Sequence, residues 1–524
     1  MAETGELFTG GLEAYRRQDR EEAGAAADDG RESAAVKRCR PIDRNQMLMR
    51  PVNIDELVEA DHPVRAIWAM VCQLDWSGFE EDIKVVEGGK GRSCVDRRLL
   101  AALWLYGYSE GVSSARELAR LCNYEPGCQW LTGMQEVNYH TLADFRGNNR
   151  EAQDDLFKQV LGRLSAEGLT DLKRVGHDGT KIRAQASANG FRREDRLREH
   201  LKLAEEQIQA MGDPDAEEFS QRVMQARQRA AREKKQRLEQ TLKKLKRFEQ
   251  DQQKRRISET EAEARIMKQA DGGFAPNYNV QITTDALNKI VVAVAITQAG
   301  DANQLVPALD AVASNSGRQP EQVLTDGAYT HNANIEEAAR RGIDLIGPLA
   351  TSHGEASLKK RGVSREFYPD KFSYDAANNT VSCPTGKSLQ FQTTSQHEGR
   401  RKHHYRAQAA DCQHCPFRQQ CCPKKAPRGI TRTEDSEVVR AFKDKMQTEA
   451  AKQIYRQRSE LAETPNAWIK DKFGLRRFRL RGLVKAGMEA VWACLSYNIR
   501  QWIRLRWKPQ LAATLAGAGP GVSV

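Results

Sequence analysis

Val175-Gly176-His177-Asp178-Gly179-Thr180-Lys181-Ile182 reads as a short strand, apolar at its flanks, that ends in a turn at an acid and a glycine. A second apolar run, Gln322-Val323-Leu324-Thr325-Asp326-Gly327-Ala328-Tyr329, closes on the same pair of residue types. Strands alternate with helices around them. After Gly272-Gly273-Phe274-Ala275-Pro276, residues 278–282 and 290–296 predict adjacent strands, the second buried on both faces. Residues 305–309 begin a helix, 332–341 form another, and 343–347 supply one more strand. This alternation predicts an α/β domain with a mixed sheet. Asp178 and Asp326 then fall at the carboxyl ends of strands, the side on which such sheets bind ligands. A third acid, Glu463, lies in a helical stretch that begins at Tyr455 and leads into Trp468-Ile469-Lys470. Three carboxylates at strand ends and on a nearby helix suit two divalent cations working on phosphate, and hard oxygen ligands favour Mg2+ or Mn2+. With 71 acids in the chain, the local setting of each, not its charge, singles these three out.

Those settings resemble the DDE transposases of bacterial insertion sequences, of the eleven-eighty-two type. Asp178-Gly179-Thr180-Lys181 is similar to the first-aspartate motif and Asp326-Gly327-Ala328-Tyr329 to the second. Tyr455, Arg458, Glu463 and Lys470 resemble the tyrosine–arginine–glutamate–lysine signature; Arg458 precedes Glu463 by five residues where four is more usual. The resemblance spans about residues 45 to 500 and includes an N-terminal segment and a cysteine cluster. It implies a ribonuclease-H-like catalytic domain over 151–509 and catalysis by Asp178, Asp326 and Glu463 with two Mg2+ (or Mn2+) ions per active site. It also implies action on double-stranded DNA bearing terminal inverted repeats and on target DNA, by a homodimer assembled on that DNA. A bacterial cytoplasm, with nucleoid association through DNA, is the implied setting. A nuclease that hydrolyses without joining, and a DNA-binding protein whose catalytic centre has lapsed, are the alternatives.

The 524 residues carry a net charge of +11 and a pI near 9.1, a surplus that favours anionic partners. Residues 1–44 read as a disordered polar tail. Residues 45–150 read as an all-helical unit, with Ser114 and Glu117 at capping-box spacing; glycine-punctuated short helices fit both a helix-turn-helix-like DNA-binding domain and a generic bundle. No run of eighteen apolar residues occurs and the polar start is no signal peptide, which predicts a cytoplasmic protein.

Two insertions are expected within the catalytic domain. Residues 191–269 predict a helical hairpin that turns near Gly212-Asp213-Pro214-Asp215, with Leu238, Leu242, Leu245 and Phe248 as one stripe, free to contact a second protomer or to close on the arm itself. Residues 360–435 form a cysteine-rich insertion. Five of eleven cysteines fall between 383 and 422, and Cys383, Cys412, Cys415 and Cys421, with Cys422 as alternate to Cys421, have the composition of a structural zinc site. Buried thiols without metal are the competing reading, His403 and His404 are spare ligands, and His414 is expected exposed. Beyond Glu463, Lys472-Phe473-Gly474-Leu475-Arg476-Arg477-Phe478-Arg479-Leu480-Arg481 interleaves cations with apolar residues, the pattern of a phosphate-backbone contact. Lys470 and, more weakly, Lys181 are phosphate candidates; Tyr455 and Arg458 face together at i,i+3 and either hold flanking DNA or pack the catalytic helix. Trp468 reads as core in preference to a platform for an extruded base. Glu489 reads as a further acid of the family or a helix-surface residue. Residues 484–507 predict a last amphipathic helix, and 510–524 a flexible tail.

Overall fold

In the computed structural model the residues described are 47, 49, 51–81, 83, 93–210, 221–247, 256–269, 271–349, 353–397, 400–423 and 427–517. The polar N-terminal tail, the arm's turn, Phe248 and the last seven residues lie outside them. The helical region that follows is built from α1 (Pro63–Val71), α2 (Arg97–Ser109), α3 (Ala115–Leu121), α4 (Pro126–Thr132), α5 (Tyr139–Asn148) and α6 (Arg150–Ala166). Local chemistry starts and stops them. Asp96 caps α2 by accepting from the Arg98 amide at 2.8 Å, and Ser114 caps α3 through the Glu117 amide, as its spacing predicts. Gly133, at φ 61°, ends α4 in the left-handed conformation.

The sheet that follows holds β1 (Arg174–Arg183), β2 (Arg265–Lys268), β3 (Phe274–Asp285), β4 (Val291–Thr297), β5 (Gln322–Leu324) and β6 (Asp344–Ile346). Their order is β2-β3-β1-β5-β6, with β4 also on β3. β1, β3 and β4 pair antiparallel as a meander, whereas β5 and β6 join β1 in parallel. This mixed sheet behind a helical region is consistent with a ribonuclease-H-like fold carrying helical insertions. The predicted neighbours 278–282 and 290–296 are indeed paired as β3 and β4. Helices α9 (Leu305–Ser316) and α10 (Asn332–Arg340) connect β4 to β5 and β5 to β6.

Between β1 and β2 the chain makes the arm, α7 (Glu194–Ala210) and α8 (Gln221–Arg247), closed at its base where Phe191 and Arg192 pair with Ser258 and Ile257. Leu238, Leu242 and Leu245 pack inside the arm against Leu197 and Ala204, and Lys235 reaches Glu205 across it at 3.0 Å. Each leucine so buried contributes about 1.5–3 kcal/mol. The stripe offered as a dimer contact is therefore consumed within the hairpin.

Two helices from the C-terminal part of the chain lie against the mixed sheet. α11 (Arg458–Ala467) runs through Pro465 and passes into a π turn at Trp468–Lys472. α12 (Leu483–Trp502) differs from its amphipathic reading: packed between β4 and the N-terminal helices, it is buried on nearly every side. A π turn at Ile503–Trp507 leads into a helix over Lys508–Gly517, where sequence suggested a tail. A second, five-stranded antiparallel sheet spans β7 (Ser373–Asp375), β8 (Thr380–Ser382), β9 (Ser388–His397), β10 (Arg400–Ala407) and β11 (Gly429–Thr433). Among the described residues no helix is long and apolar enough to cross a membrane.

α11 lies directly on β1 because Gly176 has no side chain. A Cβ there would stand 2.7 Å from Leu461 Cβ, inside van der Waals contact with backbone-adjacent carbon that cannot swing away. Gly176→Val should destabilise the chain by about 1–3 kcal/mol by prising α11 from the sheet, seen as a lower denaturant midpoint; an unchanged midpoint would show that this contact does not set the helix position.

Candidate active site

β1 and β5 pair in parallel with Arg174, Val175 and Gly176 opposite Gln322, Val323 and Leu324. Carried two residues further, that register sets Asp178 beside Asp326. Asp326 stands just past the end of β5, as expected, but Asp178 does not end its strand. β3 continues to pair with β1 as far as Arg183, so a dipeptide with turn chemistry lies mid-strand. Across the gap, α11 supplies Arg458. Its Nη2 is 3.0 Å from Asp178 Oδ1 and 4.0 Å from Asp326 Oδ2, with the three side chains 20 %, 21 % and 38 % exposed. One guanidinium thus serves two carboxylates.

Burial raises the Asp178 pKa from 3.8 to about 6; Arg458 opposes this, and the Asp326 charge adds to it. Tyr455, one turn before Arg458, is pushed up by burial beside the same charges. Lys470, on the π turn, is pushed down by burial and by Arg476, while Asp178 acts in the opposite sense. Asp178, Asp326, Tyr455, Arg458 and Lys470 therefore share one neighbourhood. Glu463 is placed otherwise: it is exposed on α11 and accepts from Ser459 Oγ at 2.6 Å. Among the described residues no three His, Cys, Asp or Glu side chains stand close enough together to hold one metal ion.

The basic stretch borders this centre. Phe473, Leu475 and Phe478 are fully buried, and Lys472, Arg476, Arg477, Arg479 and Arg481 are exposed, so its alternation is that of a strip anchored on one side. Arg183 amide donates to the Arg476 carbonyl and Phe478 amide to the Arg183 carbonyl, making a parallel bridge between Arg183 and Arg477. Asp178 sits on the edge of β1 between β5 and this strip. Lys181 is exposed and donates to the Lys268 carbonyl at 3.0 Å.

Glu489 is wholly buried, against the surface reading. Its Oε2 accepts from the Arg479 and Leu480 amides at 2.8 and 3.0 Å, and Oε1 lies 3.9 Å from Arg146 Nη1. Arg146 itself, at 3 % exposure, donates to the Ser113 carbonyl at 2.6 Å and lies over the Trp104 ring. The sequence did carry a signal: Glu489 is the only acid after Asp471. Trp468 is half-buried, edge-on to Phe473 and Tyr497, in accord with packing.

On the second sheet, Cys383, Cys412, Cys415, Cys421 and Cys422 all line one cavity of about 30 Å³. Cys383 Sγ accepts from the Lys387 amide at 3.2 Å and Cys412 Sγ from the Arg428 amide at 3.5 Å, while burial pushes the Cys421 thiol up to about 12. His414 is exposed, and His403 and His404 are bonded to Thr394 and Ser395 along the strands.

A helical region before a mixed sheet, with two aspartates converging beside a basic strip, describes a transposase-type enzyme. The chain matches a family described as Transposase DDE domain over residues 382–503 and one described as Transposase domain (DUF772) over 52–148. Both matches are to transposase families, and they support an assignment to the DDE transposases of the eleven-eighty-two type. The first match contains Glu463, Lys470 and the basic strip; the two aspartates precede it. No curated protein matches the chain.

The Asp178 shift fixes a sign. Between pH 3.8 and about 6 the folded chain keeps a proton that the unfolded chain releases, so this group's contribution is present at low pH and lost as pH rises through about 6. Wild type should therefore lose about 1–3 kcal/mol relative to Asp178→Asn between pH 4 and 7, read by denaturant unfolding; a difference that is flat with pH would refute the shift.

Proposed function

We propose that the protein cleaves DNA at transposon ends and joins those ends to target DNA, with Asp178, Asp326 and Glu463 as its catalytic acids. The observation that carries this reading is the sharing of one guanidinium by Asp178 and Asp326 at the edge of an exposed cationic strip. A cationic group already stands between the two carboxylates, whose hard oxygens suit a divalent cation, while Glu463 stands apart and would have to be brought to them. Mg2+ or Mn2+, two per centre and held by Asp178, Asp326 and Glu463, would supply activation of water or of a 3′-hydroxyl and relief of charge on the leaving oxygen.

The chain's own residues do the rest. Arg458, released from Asp178, offers a planar fork to a phosphate. Lys470, poorly solvated, gains more than a surface lysine from an anionic neighbour. Lys472, Arg476, Arg477, Arg479 and Arg481 hold the backbone of the end sequence, and Tyr455 packs the base of α11 beside them. Glu463 lies about 140° round α11 from Arg458, so it joins the pair by a turn of α11, for which the π turn at Trp468–Lys472 is the pliable segment. The N-terminal helices bind the terminal inverted repeats. Joining two ends requires two such centres, hence a homodimer on DNA, in a bacterial cytoplasm.

Asp178→Asn should leave end-DNA binding intact and lower cleavage and joining by about 10³-fold or more. The assay uses the duplex ends that flank the reading frame, with pre-cut ends and a target plasmid, and mass measurement of the paired-end complex should give two chains. Hydrolysis with no joined product would favour the nuclease reading, and an active Asp178→Asn would remove Asp178 from the centre.

The same reading gives the sulfur-lined cavity a structural zinc held by Cys383, Cys412, Cys415 and Cys421, with Cys422 the substitute for Cys421, although no three of these side chains stand close enough here to share an ion, so the metal would have to draw them together. Its walls join two small apolar clusters, one around Leu389 and Tyr405 and one around Phe367, neither large enough to stand alone. Metal analysis of the pure chain should give about one zinc per protomer, lost in Cys412→Ser/Cys415→Ser; zinc-free wild type would reject the site.

A further inference from the structure

The residues beside the two aspartates meet on the opposite face of the sheet, at an acid for which the proposed chemistry has no use. Asp301 stands in the loop between β4 and α9. Its Oδ1 accepts hydrogen bonds from Asn279 Nδ2 at 2.7 Å and Gln281 Nε2 at 3.0 Å. The Tyr329 hydroxyl, 2.7 Å from Gln281 Oε1, lies 3.3 Å from the same Asp301 oxygen. His177 extends the chain, with Nε2 3.0 Å from Gln281 Oε1 and Nδ1 2.9 Å from Thr283 Oγ1. Burial pushes the His177 pKa down to about 4, so the ring is neutral at pH 7, donating to Gln281 and accepting from Thr283. Asn279, Gln281, Tyr329 and His177 are each at most 2 % exposed.

Strand alternation puts His177 and Gly179 on the face away from Asp178. Gly179 is what lets Asp301 reach β1: a Cβ there would stand 2.2 Å from Asp301 Oδ1 and 2.5 Å from Gln281 Nε2. On its other side the loop is tied to the segment after Asp326. The Ala302 carbonyl accepts from Asn334 Nδ2 at 2.9 Å and lies 2.6 Å from His331 Nε2. Glycine after the first aspartate and tyrosine three residues after the second thus converge on one carboxylate. Asn279 and Gln281 present N–H groups to the same oxygen.

We propose that Asp301 is a positioning residue: it braces β1, through Gly179 and Gln281, against the Asp326 segment, through Tyr329, and so fixes how far apart Asp178 and Asp326 stand. This rests on reading that pair as part of the reacting centre. The full-length chain is compared with Asp301→Ala, Asp301→Asn and Tyr329→Phe. Asp301→Ala should lower single-turnover cleavage of end DNA by about 100-fold, the cost of a displacement near 1 Å, with DNA affinity within about twofold of wild type. Asp301→Asn, which keeps an acceptor oxygen, should recover about tenfold of that loss, and Tyr329→Phe should fall between. Deuterium uptake by the free protein should rise in Asp301→Ala over residues 174–183 and 322–331 together. Wild-type cleavage by Asp301→Ala or Tyr329→Phe, or uptake that rises in the loop alone, would overturn the proposal. If Asp301→Ala does not fold, Tyr329→Phe carries both readouts. Because uptake is read without DNA, a wild type that joins no ends would sink the functional reading while the exchange data still decide on Asp301.

Discussion

Two half-buried carboxylates on neighbouring strands of one sheet share a single guanidinium, and the rest of the centre answers to the cost of holding their charges there. β1 and β5 run parallel and in phase, which brings Asp178 and Asp326 side by side where β5 ends. Half-removed from water, neither charge is cheap, and Asp178 responds by holding its proton to about pH 6. The counter-charge comes from α11, whose Arg458 spans both acids. That helix can lie close enough only because Gly176 leaves room for Leu461. Strand register, a missing side chain and one guanidinium are parts of a single constraint.

The basic strip depends on a second buried charge. Glu489 takes up the Arg479 and Leu480 amides and stands near Arg146, a buried cation of the N-terminal helices. A wholly buried carboxylate is costly unless it is bonded and paired; here two backbone amides of the strip serve Oε2, while Oε1 has no hydrogen-bond partner among the described residues and only the Arg146 charge near it. The exposed arginines are thereby presented from a fixed backbone, which reduces the entropy lost when they meet phosphate. Through α12 and α5 the same charge pair ties the N-terminal helical region to the strip.

Much of this was legible in the chain. The apolar runs ending at Asp178 and Asp326, the β3–β4 pair and the two arm helices were visible because period and punctuation are local signals. What escaped was decided at long range. Asp178-Gly179 carries turn chemistry, yet β3, about a hundred residues later, pairs straight past it; the glycine serves close approach by Asp301, not a bend. The stripe at Leu238 was visible, but whether α7 or another chain would cover it was not a property of the stripe. Helical spacing put Glu463 and Lys470 on one face, and the π turn between them alters that phase while Arg458 takes the place beside the aspartates. Glu489 lay in a helix whose surroundings on all sides come from distant segments.

The central claim is that the position now held by Arg458 is where the reaction's cation acts. Mn2+ anomalous scattering from crystals of the chain with pre-cut end DNA tests it directly. The account predicts a peak between Asp178 and Asp326, with Arg458 turned to a phosphate and Glu463 brought alongside. Arg458 still paired with both aspartates, and manganese bound elsewhere or nowhere, would contradict it.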